Sequence, residues 1–461
     1  LGNITLDISA GGNRMDQVAS TVQTQALSLA QAGIYNLSNA ASPLEIFEFE
    51  ARKRINSLYG IAKFGFGNAL FVDVTARNDW SSALATPIST DNTSFFYPSV
   101  SASYLLSNTL DLPSIVSFAK LRASWAQVGN DTDPYQTTLA FVSQTPYLSQ
   151  PTFSAQDAIS NANLLPEQTT SIELGADLRF LDDQVRFDFT YYNAMTENQI
   201  ISLPVPISSG YTQQVVNGGA VRSEGIEVIA GITPIRNKNF MWNTQLNFSK
   251  NVSTVEELPE GIDRLTLAYS RVYDNVNQTV WFQVEEGGQI GDLYGTGYLK
   301  NEEGEFILTA AGNFIPDNNL QKLGNYNPDF ILGFNNQFRY KNWNASFLLD
   351  WRQGGVLVSR TLALAGVGGQ LIETENRPEE GIVAEGVVNV GTDKEPRYER
   401  NTTAISAERY YRQFYDRNHE ENNVYNASYV KLRELSIGYS FPNNKLNIAL
   451  IGRNLFAISE I

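Results

Sequence analysis

Long stretches of alternating apolar and polar residues constrain this chain more than any other feature. Residues 184–193 read QVRFDFTYYN. One face of this segment carries Val185, Phe187, Phe189 and Tyr191. The other face carries Arg186, Asp188, Thr190 and Tyr192. Because successive side chains of a strand point to opposite faces, the pattern predicts a β-strand with one apolar and one polar face.

The alternation recurs along the whole chain and predicts thirteen strands. They are residues 1–10, 55–66, 69–78, 98–106, 119–128, 169–181, 184–195, 218–232, 240–250, 328–340, 343–352, 428–441 and 445–457. Strands of soluble proteins are usually about 5–6 residues long. Most of these are about 9–14 residues, which suits a tilted strand that crosses a bilayer in about 9–11. In the twelfth strand the alternation slips around Glu434, which predicts a β-bulge.

Short and long connections alternate between the predicted strands. The short ones are Gly67-Asn68, Leu181–Gln184, Pro234–Asn239, Lys341-Asn342 and Pro442–Asn444, and the mid-sized link 107–118 takes a short position. The long ones are 11–54, 79–97, 129–168, 196–217, 251–327 and 353–427. In an up-and-down sheet successive connections lie at opposite ends, so all the long loops share one end. Outer-membrane barrels have this asymmetry.

The composition excludes several kinds of protein. Among 461 residues there is no cysteine and one histidine, which rules out disulfide scaffolds and thiolate or multi-histidine metal sites. The net charge of -16 argues against broad nucleic-acid binding, which needs lysine and arginine to neutralise phosphates. No apolar run approaches the roughly 18–20 residues of a membrane-spanning helix.

Soluble all-β folds are the alternatives to a membrane barrel. A β-sandwich or two packed soluble domains would also alternate, whereas a propeller would repeat every 40–50 residues or so, and no such repeat is found. Strand length, the sorting of the loops and aromatic residues near strand ends favour the barrel. Those residues are Trp125, Tyr191, Tyr192, Trp242, Tyr340, Trp343, Trp351, Tyr439 and Phe441.

Several segments resemble the SusC/RagA-type TonB-dependent transporters of the Gram-negative outer membrane. The matching segments are residues 77–82 (RNDWSS) with 95–104 (FFYPSVSASY), 121–130 (LRASWAQVGN), 165–175, 217–227, 288–295 (GQIGDLYG), 429–439 (YVKLRELSIGY) and 452–456 (GRNLF). They occur in the family's order from about residue 55 to 456. Ile290 follows Gln289 without the family's usual proline, and Glu434 replaces its usual asparagine.

The resemblance implies a fold and a place for this chain in it. The expected fold is all-β, a transmembrane antiparallel up-and-down barrel of 22 strands with long extracellular loops and short periplasmic turns. Residues 1–461 are then part of the barrel. The resemblance implies that the signal peptide, the N-terminal extension, the TonB box and the plug are not in this chain. The final strand or strands are expected to be missing too, because thirteen is an odd number and single-chain bacterial barrels have an even one.

The resemblance also implies a function and partners. It indicates an outer-membrane importer of oligosaccharides or peptides that breaks no bond. TonB would move the plug, and a SusD-like surface lipoprotein would close over the long loops. The other expected partners are outer-membrane lipid and the substrate, with no nucleic acid and no cofactor. A passive porin-like or adhesin-like barrel and a secreted soluble β-rich binding protein remain the alternatives.

Candidate substrate contacts are aromatic or cationic residues at or beyond the outer strand ends. They are Trp80, Tyr97, Tyr135, Tyr147, Tyr211, Trp351 and Arg352. Aromatic faces suit sugar C–H surfaces and arginine suits carboxylates. The alternative for each is the interfacial aromatic girdle or loop packing.

Other polar motifs give weaker indications of a metal or catalytic site. Asp131-Thr132-Asp133 and Glu285-Glu286 offer oxygen ligands for Ca²⁺, although solvated loop charge is the favoured interpretation. His419 is expected to be an exposed loop residue. The sequence contains no G-x-S-x-G elbow, phosphate loop or H-E-x-x-H, so it predicts no catalytic site.

Overall fold

All thirteen predicted strands form in the structure, a computed structural model that describes residues 4–148, 150–271, 279–392, 394–442 and 446–460. The strands are β1 (Ile4–Gln25), β2 (Glu45–Phe66), β3 (Leu70–Ser81), β4 (Ser94–Leu105), β5 (Val116–Asn130), β6 (Glu167–Phe180), β7 (Val185–Glu197), β8 (Ala220–Arg236), β9 (Phe240–Glu257), β10 (Phe330–Tyr340), β11 (Trp343–Gln353), β12 (Tyr429–Ser440) and β13 (Asn447–Ser459). They make one sheet in which strand order follows chain order. The all-β, up-and-down prediction is therefore confirmed.

The chain divides into two compact units, each described by itself. Unit 1 comprises residues 1–178, 190–223 and 256–261, and unit 2 comprises residues 179–189, 224–255 and 262–461. Among the described residues, no helix is both long enough and apolar enough to span a membrane.

In unit 1 the predicted loop 11–54 is wrong over most of its length. β1 and β2 pair without a break from Ile4↔Phe66 to Gln25↔Glu45, which leaves residues 26–44 as the connection. The alternation fades beyond Ala10, yet backbone hydrogen bonds continue the ladder irrespective of side chains. At the other end of β2 the predicted tight turn is confirmed, since Gly67 and Asn68 have φ values of 58° and 56°, as in a type I′ hairpin turn.

The connections of unit 1 carry small sheets and 3-10 turns. The strands are Phe141–Tyr147, Gln150–Ala155, Ala158–Ile159, Ile200–Pro204 and Gln213–Asn217, and the 3-10 turns are Leu37–Asn39, Ser82–Leu84, Asp91–Thr93, Leu106–Asn108 and Ile207–Ser209. Leu84, Phe95, Leu164 and Val215 form a buried apolar cluster, against which Ala158 and Ile200 of the small strands pack. This cluster ties three of the loops to the end of the sheet.

In unit 2 the two longest predicted loops fold into a layer of their own. Its strands are Arg264–Arg271, Thr279–Glu285, Asp292–Tyr298, Ile307–Leu308, Pro316–Asn325, Val356–Val358, Ile382–Val383, Val387–Asn389, Tyr398–Arg400, Ala404–Ile405 and Val424–Asn426. Its helices are α1 (Arg360–Val367) and α2 (Ala407–Phe414), with 3-10 turns at Ile372–Glu375 and Glu420–Asn423. The Ser359 and Ser406 hydroxyls accept hydrogen bonds from the first turns of α1 and α2 and so cap both helices.

The predicted bulge near Glu434 is confirmed. Leu432 pairs with Phe456 and Glu434 with Arg453, so the register shifts and the extra residue lies on β13. Against β11 the shift is of the opposite sense, since Leu432 and Glu434 pair with the consecutive residues Leu349 and Leu348. Arg433 is the extra residue in the pairing with β11, and its guanidinium forms an ion pair with Asp350 of that strand. The predicted turn Pro442–Asn444 lies partly outside the described residues.

The apolar face of unit 2 is lined with aromatic rings at both ends. Trp242 stacks on Phe338 at 5.8 Å and Trp343 meets Tyr439 edge-on at 5.0 Å, at the end with the short turns. Trp351 meets Phe330 edge-on at 5.2 Å at the end with the loops. Trp343 and Trp351 are about 26 Å apart along β11 at the usual rise per residue. An apolar band about 25 Å tall between aromatic girdles is typical of outer-membrane barrels.

Leu349 tests which face of β11 meets lipid. It pairs with Phe334 and Leu432 in the middle of the apolar face. If this face meets lipid, as the family resemblance implies, Leu349→Arg is expected to cost about 2–4 kcal/mol of folding free energy in a bilayer. The measurement is urea unfolding of the full-length protein in lipid vesicles.

The neighbouring Leu348 is the matched control. It lies on the polar face and pairs with Asn335 and Glu434, so Leu348→Arg should change the free energy far less. Equal destabilisation by the two substitutions would contradict the assignment of faces.

Candidate functional site

The polar face of unit 1 carries a hydrogen-bonded cluster around Asp79 where the strands meet the loops. Asp79 is 6% exposed. Its carboxylate accepts hydrogen bonds from Arg77 Nε at 2.7 Å and from the Tyr97 hydroxyl at 2.7 Å. Arg77 Nη2 also donates to Ser57 Oγ at 2.9 Å. Because Arg77 and Asp79 are two residues apart on β3, they share the polar face, and the cluster fixes the phenol of Tyr97 there.

A second polar cluster lies beside it, around Asp131. Lys53 Nζ forms an ion pair with Asp131 Oδ1 at 2.9 Å, and the Ser81 hydroxyl donates to the other carboxylate oxygen. Both charged side chains are largely buried. This carboxylate, weighed above as a Ca²⁺ ligand, therefore bridges β2 and β3. In the part of the chain that the structure describes, no group of three or more acidic or histidine side chains could hold a metal ion.

The candidate contacts of unit 1 fall on different surfaces. Tyr97 lies in the Asp79 cluster, whereas Trp80 pairs with Asn56 on the opposite, apolar face and is partly exposed. The Tyr135 hydroxyl accepts a hydrogen bond from the Arg52 backbone N–H at 3.2 Å. The two remaining candidates lie elsewhere in the loops: Tyr147 is exposed on its own hairpin, and Tyr211 follows the 3-10 turn Ile207–Ser209.

In unit 2 the candidates Trp351 and Arg352 point to opposite faces of β11. Trp351 packs against Phe330 on the apolar face. Arg352 lies on the polar face, where its Nη2 donates to the backbone oxygen of Tyr326. A Cβ at Gly355 would stand 2.9 Å from the same nitrogen, so this glycine, at a φ of 80°, leaves room for the guanidinium.

His419 is buried rather than exposed, so the sequence prediction for it is wrong. It is 8% exposed, its ring lies 5.1 Å from that of Tyr298, and its Nδ1 is 3.1 Å from Asp416 Oδ2. A polar loop sequence gave no sign of the aromatic neighbour, which is more than a hundred residues away in the chain. Aromatic packing in the loop layer holds this histidine inside.

The same layer buries two acidic side chains in contrasting surroundings. Burial acts to raise the pKa of Asp416, but hydrogen bonds from His419 and from the Asn418 backbone outweigh it and lower that pKa. Burial also raises the pKa of Glu420, and there the Arg360 guanidinium, 3.1 Å away, opposes it only in part. The pKa values of Asp416 and Glu420 are therefore shifted in opposite directions within one loop.

Sequence reasoning missed the residues that build these clusters. The predicted strands place Arg77 on a polar face but leave Lys53, Asp79 and Glu420 in long loops. The one available signal was Arg77-x-Asp79 within the RNDWSS motif, since opposite charges two residues apart on a strand share a face.

Comparison with known proteins decides the family. Residues 5–455 match the family model described as "TonB dependent receptor-like, beta-barrel". The chain belongs to this family. TonB-dependent receptor barrels are outer-membrane proteins, and so is this receptor, which removes the secreted soluble alternative. The family consists of receptors and transporters rather than enzymes.

Relatives of this receptor are found in Formosa agariphila and Bacteroides thetaiotaomicron. TonB-dependent receptor P3 of Formosa agariphila is 27% identical over 92% of this chain and 43% of its own length. TonB-dependent receptor SusC of Bacteroides thetaiotaomicron is 24% identical over 65% of this chain and 31% of its own. The receptor chain thus spans less than half the length of the curated relatives it matches.

A solved structure shares the fold of this receptor. The structure of the RagAB peptide transporter superposes on the whole chain with a TM-score of 0.73, at 17% identity and over 50% of that protein's chain. A TonB-dependent receptor barrel is therefore the fold of this chain, as the sequence motifs predicted.

The Asp79 cluster predicts a stability effect of the Tyr97 hydroxyl. Tyr97→Phe is expected to cost about 1.5–3 kcal/mol, because it removes a hydrogen bond to a buried carboxylate. Chemical unfolding of the full-length protein measures it. Tyr147→Phe, on an exposed ring, is the matched control and should stay within about 0.5 kcal/mol of wild type. Equal effects would contradict the Asp79 cluster.

The Asp416 environment predicts a pH dependence. A carboxyl whose pKa is lowered by folding stabilises the fold above its ordinary pKa of 3.8, and this contribution is lost as the pH falls through the lower folded value. Hydrogen exchange of residues 414–424 should therefore be slower in wild type than in Asp416→Asn at pH 7. The difference should vanish towards pH 3, whereas one that grows on acidification would contradict the assignment.

Proposed function

We propose that the whole protein is a SusC-like active importer that takes up peptides or oligosaccharides across the outer membrane. The observation that carries this proposal is the match of residues 5–455 to the TonB-dependent receptor barrel. The RagAB structure is titled a peptide transporter, which supports peptides as one substrate class. No cofactor and no catalytic step are part of the proposal.

Energy coupling through TonB is part of the proposal because the barrel matches the TonB-dependent receptor family. A 22-stranded barrel is too wide for its own side chains to fill and needs a plug. We propose that the plug lies outside residues 1–461 and rests on the polar face. In unit 1 this face includes a cavity of about 270 Å³ with acidic and basic walls, among them Asp73, Lys120, Arg122 and Glu173. Because acidic and basic side chains are both present, this surface would not attract a polar plug strongly, which suits a plug that must be released.

A SusD-like lipoprotein is the proposed partner on the loop side. The neighbouring strand β3 ends at Ser81, which pairs with Ile55 of β2. The β1–β2 ribbon continues beyond that pair, so residues 45–54 of β2 project past β3 with the part of β1 that pairs with them. The projecting part exposes large apolar side chains, namely Val18, Val22, Ile46, Phe47 and Phe49. Val18, Val22 and Ile46 lie on one face of the ribbon, and Phe47 and Phe49 lie on the other. Exposed apolar patches mark interaction surfaces. A lid protein resting on the loops would cover them.

The seven candidate residues remain the proposed substrate contacts, and their positions rank them. Tyr97 and Arg352 lie on the polar face at the loop ends of their strands, where a solute would pass. Tyr135, Tyr147 and Tyr211 lie in the loops. Trp80 and Trp351 lie on the apolar face, where the girdle interpretation competes most strongly. Arg352 offers a planar, permanently charged group to a peptide carboxylate.

Energy dependence of uptake tests the proposed function. Cells that express the full-length gene are given a fluorescent tetrapeptide or maltotetraose. Uptake of one of them should stop when TonB is deleted or the proton gradient is collapsed. Uptake that persists without TonB would favour the passive porin-like alternative.

Arg352 gives a residue-level test within the same assay. Arg352→Gln should raise the KM for peptide uptake about tenfold, which is what loss of one charge-assisted hydrogen bond produces. Arg339→Gln, on the polar face of β10 near the short turns, is the matched control. An unchanged KM would remove Arg352 from the contacts.

A further inference from the structure

The loop layer of unit 2 contains a cavity of about 300 Å³ that the transport path on the strands does not include. Two of its walls are Tyr410 and Phe414, which are four residues apart on α2 and therefore share one face of the helix. Phe306 and Phe314 supply the others. The volume is at the lower end of the range for ligand pockets and suits one large side chain with its backbone.

The four rings form a box rather than a flat platform. Phe306 stands edge-on to Phe314 at 5.3 Å, with an angle of 83° between the ring planes. Tyr410 and Phe414 stack on each other at 5.7 Å, and Phe314 is tilted against Tyr410 at 6.1 Å. Phe314 is fully packed in the core of the layer, whereas the other three rings are only half buried. Phe314 therefore anchors the box in the core of the layer, and the other three rings remain partly accessible to a ligand.

The backbone around the box is also fixed. A Cβ at Gly386 would lie 2.5 Å from the Phe306 carbonyl oxygen, so only glycine allows these segments to approach. The Asn401 N–H donates to the Gly386 carbonyl at 3.0 Å, and Val387 pairs with Arg400. These contacts hold the cavity open in a preformed shape.

The rim of the cavity carries opposite charges that are not used in the fold. Glu385 and Arg400 both line it, on neighbouring segments. Among the described residues, neither side chain forms an ion pair or hydrogen bond, although other charged pairs of the layer do, such as Arg397 with Glu399 at 2.8 Å. Glu305, also on the rim, accepts a hydrogen bond from Asn301 at 2.9 Å.

This combination selects among ligands. A ligand with an apolar side chain between an amino group and a carboxylate would fill the box and meet Glu385 and Arg400. A neutral sugar would bring many hydroxyls into an apolar box with few partners, and each unpaired hydroxyl costs free energy. A purely apolar ligand would leave the rim charges unused.

We propose that this cavity binds a short peptide with free amino and carboxyl ends and an aromatic or large aliphatic side chain. The side chain enters the box formed by Phe306, Phe314, Tyr410 and Phe414. Arg400 pairs with the peptide carboxylate, and Glu385 pairs with its amino group. The site deepens the proposed function by naming a peptide subsite, yet binding there does not require uptake to occur.

The test is calorimetric titration of the detergent-solubilised full-length protein with the dipeptide phenylalanyl-alanine. Wild type should bind it, and Arg400→Gln should weaken binding about tenfold, since a charge-assisted pair is lost. The C-amidated dipeptide should bind wild type and Arg400→Gln equally. Glu385→Gln should likewise weaken binding of the free dipeptide. The N-acetylated dipeptide should bind wild type and Glu385→Gln equally.

Arg397→Gln is the matched control. Arg397 lies three residues before Arg400, carries the same charge, and forms an exposed ion pair with Glu399 outside the cavity. It should leave dipeptide binding unchanged. Absence of dipeptide binding, an equal loss in Arg397→Gln, or displacement of the dipeptide by maltotriose would each overturn the subsite. TonB-dependent uptake would still stand in all three cases, so failure of the subsite is distinguishable from failure of the proposed function.

Discussion

The structure depends on one constraint, which is that a backbone crossing lipid must satisfy its own hydrogen bonds. Strands do so only through continuous pairing with their neighbours. The long uninterrupted ladders, such as the one from Trp343↔Tyr340 to Gln353↔Phe330, meet this requirement. Once the backbone is paired, the side chains are free to differ between the two faces, with aromatic girdles on one and charged clusters on the other. The loops need not cross lipid, and they fold into small sheets, short helices and the cavity between them.

Among the described residues, the buried charged side chains lie in the loops or at the loop ends of the strands. Asp79, Asp131 and Glu420 each lose water and each gain a cationic partner. Such pairs stabilise a fold only modestly, because desolvation offsets most of the attraction, but they fix the side chains around them. The phenol of Tyr97 is held in this way by Asp79. A surface that must recognise a passing solute benefits from side chains that are already in place.

Periodicity predicted the strands because each face of the sheet has one environment along most of its length. It placed all thirteen and the bulge at Arg433, where the alternation itself breaks. It failed for residues 11–25 and 45–54, because both faces of that ribbon lie outside the apolar band and no longer differ. It failed for His419, whose burial depends on Tyr298, a residue distant in the chain. The Asp79 cluster and the aromatic box likewise depend on pairings between strands and loops, which local sequence does not encode.

Cysteine scanning along β11 tests the central claim, that one face of the sheet meets lipid and the other meets water. This chain has no cysteine, so each label would report one introduced position. Single cysteines from residue 344 to 350 would be treated in intact outer membranes with a charged, water-soluble maleimide. Labelling is expected at Asn344, Ser346, Leu348 and Asp350, and protection is expected at Ala345, Phe347 and Leu349. Labelling without alternation would contradict it.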